Sequence, residues 1–204
     1  MNMSELFELE NIPENRLPLP DEISYYELEK KRKLFLDYDI DEPCMEVERM
    51  IFRWNMEDKG KPVEEREPIW IYMLSPGGYA YYMWSLVDLM EKSKTPIYTV
   101  NMGQCMSAAA LIFMAGHKRF MFPRAKVLIH QGYNKIEGEA QKVMAQTASY
   151  KKELKEMQDY ILSRTTIPAA MLNKKKNNDW ELDAQFCLEN HVCDTVVGDI
   201  DEVI

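Results

Sequence analysis

The sequence is short of the residues that mark several common classes of protein. Its 204 residues include only four cysteines and three histidines. The cysteines are Cys44, Cys105, Cys187 and Cys193. No two of them form a C-x-x-C pair, so the sequence predicts neither a disulfide framework nor a structural zinc site. We therefore expect a protein that folds in a reducing compartment.

Long hydrophobic runs and positive charge are also scarce. No run approaches the roughly 18 apolar residues that cross a bilayer, and the acidic N-terminus lacks the layout of a signal peptide. Lysine and arginine total 25 against 34 aspartates and glutamates, which gives a net charge of −9. Because nucleic-acid binders and proteins that dock on anionic membranes normally present basic surfaces, we predict neither partner. A cytoplasmic location is the expectation.

The chain has enough apolar material for one buried core. Hydrophobic residues make up 46% of the sequence, and the length is that of one ordinary domain. Residues 1–22 are acidic and contain prolines, which predicts an irregular N-terminal arm. Residues 23–204 are predicted to form a single domain, in which the charged stretch 56–68 is a solvated loop.

Short apolar runs alternate with helical patterns along this domain. The runs cover residues 69–74, 96–102 and 126–130, and the helical patterns cover residues 81–91 and 105–115. This alternation is typical of an α/β domain with right-handed crossovers. Residues 141–162 are predicted as the longest helix. Its apolar positions follow heptad-like steps, which indicates a partner in the same domain or in another subunit.

Ser107 is the first candidate for a reacting side chain. It follows a predicted strand and opens a small-residue helix, a position where a serine ordinarily caps the helix. The same position could direct the hydroxyl at a helix N-terminus, whose free N–H groups stabilise an oxyanion. Cys105 is a rival nucleophile, but a buried apolar role is more typical of such a cysteine.

His130 and the turn Ser75-Pro-Gly-Gly are the other candidates. His130 ends an apolar strand, and reacting groups gather at the carboxyl ends of strands in α/β sheets, although a single histidine there is commonly structural. In the turn, Gly78 would let the main chain approach a ligand closely. No metal-ligand spacing, phosphate loop or dinucleotide fingerprint is present, so no metal or cofactor is predicted.

Taken together, these segments resemble the Clp protease proteolytic subunit (ClpP) family of self-compartmentalised serine peptidases. The resemblance spans roughly residues 25–204 and is carried mainly by Ser75-Pro-Gly-Gly, Met102-Gly-Gln-Cys-Met-Ser-Ala-Ala-Ala, Val127-Leu-Ile-His-Gln and Asp179-Trp-Glu-Leu-Asp-Ala. Gly78 and Ser107 are 29 residues apart, His130 follows 23 residues later, and Asp179 lies 49 residues beyond it. This order and spacing make the combined signal strong.

The resemblance implies a role for each of these residues. Ser107 would be the nucleophile, His130 its general base and Asp179 the residue that orients the imidazole. Gly78 and Ala108 would donate the oxyanion-hole N–H groups. The residues that would contact an extended substrate are Gly77, Gln131, Gly132 and Tyr133.

The resemblance also implies a fold and an assembly. The expected fold is the crotonase-like (ClpP) α/β spiral of β-β-α units with a protruding handle helix, here residues 141–162. The expected assembly is a homo-oligomer of two stacked heptameric rings, which receives unfolded protein from an AAA+ unfoldase of the ClpX, ClpA or ClpC type. Trp70 and Tyr72 match positions that help to receive the unfoldase, although strand-core positions are the other interpretation.

Several positions depart from the family pattern. The usual Ser-Met-Gly is Ser107-Ala108-Ala109, Asn134-Lys135 replaces a Gly-Gly pair, Asn177-Asn178 replaces an Asp-Arg pair, and Leu74 replaces an Asn. Because an oxyanion hole uses main-chain N–H groups, we expect it to survive the first change. The departures favour a divergent or phage-borne member of the family.

Three other functions compete with an active serine endopeptidase. A catalytically silent structural subunit of mixed rings would share the fold, although such subunits normally lose a triad residue. A crotonase-fold acyl-CoA enzyme would use the N–H groups for an enolate and would need no triad. A capsid-maturation peptidase would share the chemistry and differ only in its substrate.

Overall fold

The computed structural model describes residues 20–132, 135–175 and 178–204. Seven strands form one sheet: β1 (Lys33–Leu36), β2 (Ile69–Ser75), β3 (Ile97–Met106), β4 (Lys118–Met121), β5 (Lys126–Ile129), β6 (Trp180–Leu182) and β7 (Thr195–Val196). The α-helices of the described residues are α1 (Pro20–Lys30), α2 (Cys44–Glu57), α3 (Ala80–Lys92), α4 (Ala108–Ala115), α5 (Ala140–Arg164), α6 (Ala169–Lys175) and α7 (Ala184–Glu189).

The sheet is parallel except at one edge. Its main path is β1-β2-β3-β4-β7, and all of these pairs are parallel. The long strand β3 pairs with β4 over its first half and with β5 over its last residues. β6 then pairs antiparallel with β5. The predicted α/β class is confirmed, and this branching directs β5 and β6 to the carboxyl end of β3.

β3 is longer than the sequence predicts. The strand continues through Gly103 to Met106, and the next helix begins only at Ala108, so the predictions of a strand that ends at residue 102 and of a helix from residue 105 are wrong. A Cβ atom on Gly103 would lie 2.7 Å from the Leu74 side chain of the neighbouring strand. The glycine therefore permits close packing rather than a turn.

The main core lies between the sheet and the helices α2, α3 and α4. Every residue of α4 is buried, as expected for a helix that has no polar side chain with which to face water. The alanines at its start bring it close to the main chain of its neighbours. Because α4 is enclosed on all sides, the residue before it, Ser107, is held in a fixed position.

A smaller apolar cluster covers the other face of the sheet. It contains Tyr72, Val100, Val197 and Val203, with Trp70 and other aromatics packed against it. Tyr72 is only 7% exposed, and its hydroxyl donates to the Val203 carbonyl. Tyr72 is thus a strand-core residue beneath the C-terminal segment, whereas Trp70 stays partly exposed.

The helix α5 occupies the place of the predicted long helix. Its buried residue is Ile161, and most of its other side chains face outward. Four apolar positions of the predicted seam line a groove of the same chain: Tyr150, Leu154, Met157 and Ile161. This C-terminal part of the seam therefore faces its own domain. None of the helices within the described residues is long and apolar enough to span a bilayer.

The predicted N-terminal arm and the predicted charged loop both differ in part from the structure. Residues 1–19 of the predicted arm lie outside the described residues, and residues 20–22 form the start of α1 rather than irregular chain. The charged stretch 56–68 is largely exposed, but the prediction of a wholly solvated loop is wrong at Asp58. The Asp58 side chain is fully buried and bonded to Arg32.

Candidate active site

Antiparallel pairing of two short strands brings His130 and Asp179 together. The pairs in this ladder are Val127 with Leu182, Leu128 with Glu181 and Ile129 with Trp180. The next pair in the same register is His130 with Asp179, just beyond both strands. Accordingly, Asp179 Oδ1 lies 3.3 Å from His130 Nδ1. Register thus joins two residues that are far apart in the sequence.

Ser107 occupies a sharp turn between β3 and α4. Its φ of 54° and ψ of −122° lie in a region that non-glycine residues rarely adopt, which costs of order 1–3 kcal/mol. The buried end of β3, the buried helix α4 and a hydrogen bond from the Ser107 N–H to the Leu128 carbonyl hold this conformation. The strain is maintained by the packing on both sides.

The Ser107 side chain points at the histidine instead of capping the helix. Its Oγ makes no capping hydrogen bond to α4 and lies 2.7 Å from His130 Nε2. A carboxylate beside Nδ1 favours a proton on that nitrogen, which leaves Nε2 free to accept the serine proton. Ser107 and His130 are therefore hydrogen-bonded, and Asp179 lies within 3.3 Å of the other ring nitrogen of His130.

The glycine turn packs directly against this serine. A Cβ atom on Gly77, which has a φ of 99°, would lie 2.5 Å from the Met106 carbonyl oxygen and 2.8 Å from Ser107 Cβ. A Cβ atom on Gly78 would lie 2.3 Å from the carbonyl oxygen of Ile40. Neither position has room for a larger residue unless the main chain moves.

Hydrogen bonds inside the turn fix its shape. The Gly77 carbonyl accepts from the Ile40 N–H, and the Ile40 carbonyl accepts from the Tyr79 N–H. Ser75 Oγ accepts from the Gly77 N–H at 3.2 Å. Because both polar main-chain groups of Gly77 are used in this way, its contribution to a substrate site would be through the shape of the turn.

The turn and the start of α4 provide N–H groups beside Ser107. Ala108 is the first residue of α4, where N–H groups have no acceptor within the helix and the helix dipole is positive. The Gly77 Cβ position would lie only 3.1 Å from the Ala108 nitrogen, so the two backbones are adjacent. The glycine turn therefore lies beside the N–H of Ala108, and the assignment of Gly78 and Ala108 as oxyanion-hole donors stays a prediction.

Comparison with known proteins shows which family the chain is similar to. A family model described as Clp protease matches residues 22–199, which is most of the chain. The chain belongs to the Clp protease family. The resemblance found in the sequence is therefore confirmed.

Individual members of the family are distant in sequence. The chain is 31% and 32% identical over 125 residues to the ATP-dependent Clp protease proteolytic subunits 2 of Treponema pallidum and Treponema denticola. These matches cover 60% of this chain and only 63% and 62% of the relatives, less than two thirds of their length. The proteolytic subunit of Porphyromonas gingivalis is 26% identical over 189 residues, 91% of this chain and 82% of that protein. At these identities, the roles of single residues stay predictions.

Relative to the Clp pattern, the departures fall in different parts of the site. Tyr133, Asn134 and Asn177 lie outside the described residues. Leu74, where the family usually has Asn, is 43% exposed and packs over Gly103. It therefore takes part in strand packing at the carboxyl end of β2.

A groove of about 520 Å³ adjoins Ser107 and His130. It lies between α4 and α5, and its apolar lining includes Met83, Leu111, Ile129, Leu154, Met157, Ile161 and Leu172. Gln131 and Gly132 border it, and their contact with a substrate stays a prediction. Glu153 is the one carboxylate among the described lining residues. The groove suits an apolar side chain of a peptide.

Three tyrosines of the groove are not among the predicted site residues. Tyr79 and Tyr81 are 60% and 62% exposed, and their rings lie 5.5 Å apart at the mouth. The signal was the run Tyr79-Ala-Tyr-Tyr directly after the glycine turn. In the sequence, Tyr150 stands out only as a member of the apolar seam. That pattern does not predict the hydrogen bond that its hydroxyl donates to the Gln131 carbonyl.

Cys105 and His117 do not belong to the site. Cys105 is completely buried, and burial raises the pKa of its thiol well above the ordinary range, so it cannot supply a thiolate nucleophile. His117 Nδ1 accepts a hydrogen bond from the Ile97 N–H at 3.1 Å. That contact is at the start of β3, the end opposite Ser107.

Proposed function

We propose that this Clp family member is a serine endopeptidase subunit that hydrolyses unfolded polypeptides in the cytoplasm. Ser107, His130 and Asp179 would act as nucleophile, general base and orienting carboxylate. The observation that carries the proposal is the 2.7 Å contact between Ser107 Oγ and His130 Nε2. The position of Asp179 at the other ring nitrogen supports it.

The chemistry follows from these contacts. His130 Nε2 takes the proton of Ser107 as Oγ attacks the carbonyl carbon of a peptide bond. The tetrahedral intermediate collapses when the imidazolium gives that proton to the leaving amine, and the carbon–nitrogen bond breaks. Water, activated by the same histidine, then hydrolyses the acyl-serine and restores the hydroxyl.

Main-chain N–H groups would stabilise the negative charge of the intermediate. Gly78 and Ala108 are the proposed donors, because the glycine turn lies against the first residue of α4. In other serine hydrolases, loss of one such donor costs about 3–4 kcal/mol of transition-state stabilisation. The replacement of Met by Ala at position 108 leaves the N–H group in place.

The proposed substrate is an extended chain. It would pair with the main chain that follows His130, near Gln131, Gly132 and Tyr133, while its side chains enter the apolar groove. Strand addition of this kind needs a polypeptide with free main-chain groups. A folded protein does not present them, so we infer that an AAA+ unfoldase of the ClpX, ClpA or ClpC type supplies the substrate.

We infer further that the subunit works in a homo-oligomer, as two stacked heptameric rings with α5 as the handle. Asp179 is 74% exposed in the isolated chain, and an electrostatic contact that is open to water is weak. A neighbouring subunit that covers this edge would strengthen the histidine–aspartate contact. The same exposure favours the alternative of a catalytically silent subunit of mixed rings, if no neighbour covers it.

Labelling with a fluorophosphonate probe tests the proposal. The probe reacts only with an activated serine, so we expect one adduct on Ser107 in the ring fraction after size-exclusion chromatography. The Ser107→Ala protein should form the same rings and carry no adduct, whereas Ser163→Ala should be labelled like the wild type. A well-formed ring without any adduct would indicate the silent subunit.

A further inference from the structure

The chain that follows His130 is held from outside by a helix. β5 ends at Ile129, and Gln131 and Gly132 belong to no helix or strand. The Tyr150 hydroxyl on α5 donates a hydrogen bond of 3.0 Å to the Gln131 carbonyl. A Cβ atom on Gly132 would lie 3.8 Å from the same hydroxyl, so Tyr150 bonds the first residue after the histidine and lies near the second.

We propose that Tyr150 is a positioning residue that orients the peptide group between Gln131 and Gly132 for pairing with an extended substrate. The inference rests on the proposed peptidase function and adds a residue to it. Tyr150 lines the groove beside Glu153 and does not approach Ser107 through any hydrogen bond of the described residues. It would therefore act on the alignment of the substrate and not on bond cleavage.

The hydrogen bond from Tyr150 to the Gln131 carbonyl also sets the direction of the Gly132 N–H group. In a planar trans peptide, the C=O and N–H groups point in opposite directions. Because the Gln131 carbonyl points to Tyr150, the Gly132 N–H points away from it and can donate to a substrate carbonyl. Gly132 has a φ of 74°, which lies outside the range of a β-strand. No pairing with a neighbouring strand therefore fixes the plane of the peptide group between Gln131 and Gly132.

The environment of Tyr150 keeps its hydroxyl a donor. Burial raises the pKa of Tyr150, and the nearby Glu153 carboxylate raises it further. The phenol therefore stays protonated over the range in which a serine peptidase works. A phenylalanine at this position would fill the same part of the groove and lack only the hydrogen bond.

The chain offers a matched control on the same helix. The Tyr160 hydroxyl is buried and has no hydrogen-bond partner among the described residues. Tyr160→Phe and Tyr150→Phe thus remove the same group from the same helix, and only the second breaks a hydrogen bond. Both variants would be prepared as the full-length, assembled protein.

Two reactions separate positioning from chemistry. One is cleavage of a fluorogenic decapeptide, which spans the segment after His130, and the other is the rate of fluorophosphonate labelling, which needs only the activated serine. For Tyr150→Phe we expect kcat/KM for the decapeptide to fall about 3–10-fold, mainly through KM, as for the loss of one hydrogen bond. The labelling rate should stay unchanged, and Tyr160→Phe should match the wild type in both reactions.

Two results would overturn the proposal. An unchanged decapeptide rate would show that the bond does not align the substrate, and an equal loss in both reactions would place the effect on the triad or on assembly. If Tyr150→Phe does not form rings, or if wild-type Ser107 is unreactive, hydrogen exchange on dissociated subunits decides, because the bond lies within one chain. Faster exchange at residues 130–138 in Tyr150→Phe alone supports the proposal, and equal exchange in all three proteins contradicts it.

Discussion

Two aspartates at opposite ends of the sheet contact basic side chains in very different surroundings. Asp179 meets His130 at 3.3 Å, with the two side chains 74% and 31% exposed. Asp58 accepts two hydrogen bonds from Arg32, at 2.6 and 3.0 Å, with the side chains 0% and 9% exposed. The buried pair is completed within one subunit, whereas the exposed pair is left accessible beside the groove.

The buried pair joins the segments that lead into three strands. Arg32 precedes β1 and also donates to the Glu67 carbonyl before β2. Asp58 also accepts from Thr95, which precedes β3, and from Lys61. The Arg32 guanidinium holds the pKa of Asp58 well below its ordinary range. This network therefore fixes the amino ends of the strands, whereas Ser107 lies at the carboxyl end of β3.

The difference in burial between Asp58 and Asp179 predicts that one carboxylate matters for stability and the other for catalysis. A buried charge that loses its partner is costly because nothing replaces the lost solvation. An exposed carboxylate is solvated with or without its partner, so it contributes little to stability. Changes to Asp58 should therefore unfold the protein without altering the site, and changes to Asp179 should do the reverse.

The largest effect is expected from Asp179→Asn. An amide can leave the proton on the wrong ring nitrogen of His130, so peptide hydrolysis should fall about 10⁴-fold, as for orienting aspartates of other serine peptidases. The free energy of unfolding from urea titration should change by no more than about 0.5 kcal/mol. Glu181→Gln, in the adjoining strand, is the matched control and should keep its activity.

Asp58→Asn should produce the opposite outcome. We expect a loss of about 3–5 kcal/mol in the free energy of unfolding, measured in urea, because Arg32 is left buried without a countercharge. Lys61→Ala removes the exposed member of the network and should cost about 1 kcal/mol or less. A cost for Asp58→Asn below that of Lys61→Ala would mean that the buried pair does not fix the strands.

The same carboxylate predicts how stability changes with pH. Because the folded pKa of Asp58 is lowered, its contribution is fully present above the unfolded pKa of about 4 and is lost as the pH falls below it. The stability difference between the wild type and Asp58→Asn should therefore be constant from pH 7 to 5 and should shrink towards pH 3. A difference that is independent of pH would contradict the assigned ion pair.

The sequence predicts the carboxyl end of the sheet better than the amino end. His130 and the glycine turn lie directly after apolar runs, so their positions follow from where strands end, whereas Ser107 stands out through the small-residue helix that it precedes. Asp58 lies in a charged run with nothing to mark it as the member that is buried, because burial depends on Arg32, 26 residues earlier. Charge patterns therefore predict which residues are polar, but not which of them face one another.

Two features of the site also lie beyond what local patterns show. β6 has only three residues, too few for a periodic signal, yet its register sets the distance between His130 and Asp179. Tyr150 occupies an apolar position of a helical pattern, where a hydroxyl has no visible purpose. Both features depend on contacts between segments that are distant in the sequence. Periodicity does not reveal such contacts, whereas a family motif can point to the residues involved.

The smallest effect is expected at the surface pair that links β5 and β6. Lys126 meets Glu181 across these strands, with the side chains 52% and 50% exposed. Lys126→Ala should cost about 0.2–1 kcal/mol, which lowers Tm by at most about 4 °C in a protein of this size. Activity should stay within about twofold, because the ladder between the strands and not the ion pair sets the register. If activity instead fell as far as in Asp179→Asn, the alignment of His130 with Asp179 would depend on a solvent-exposed contact, and the separation of stability from chemistry would fail.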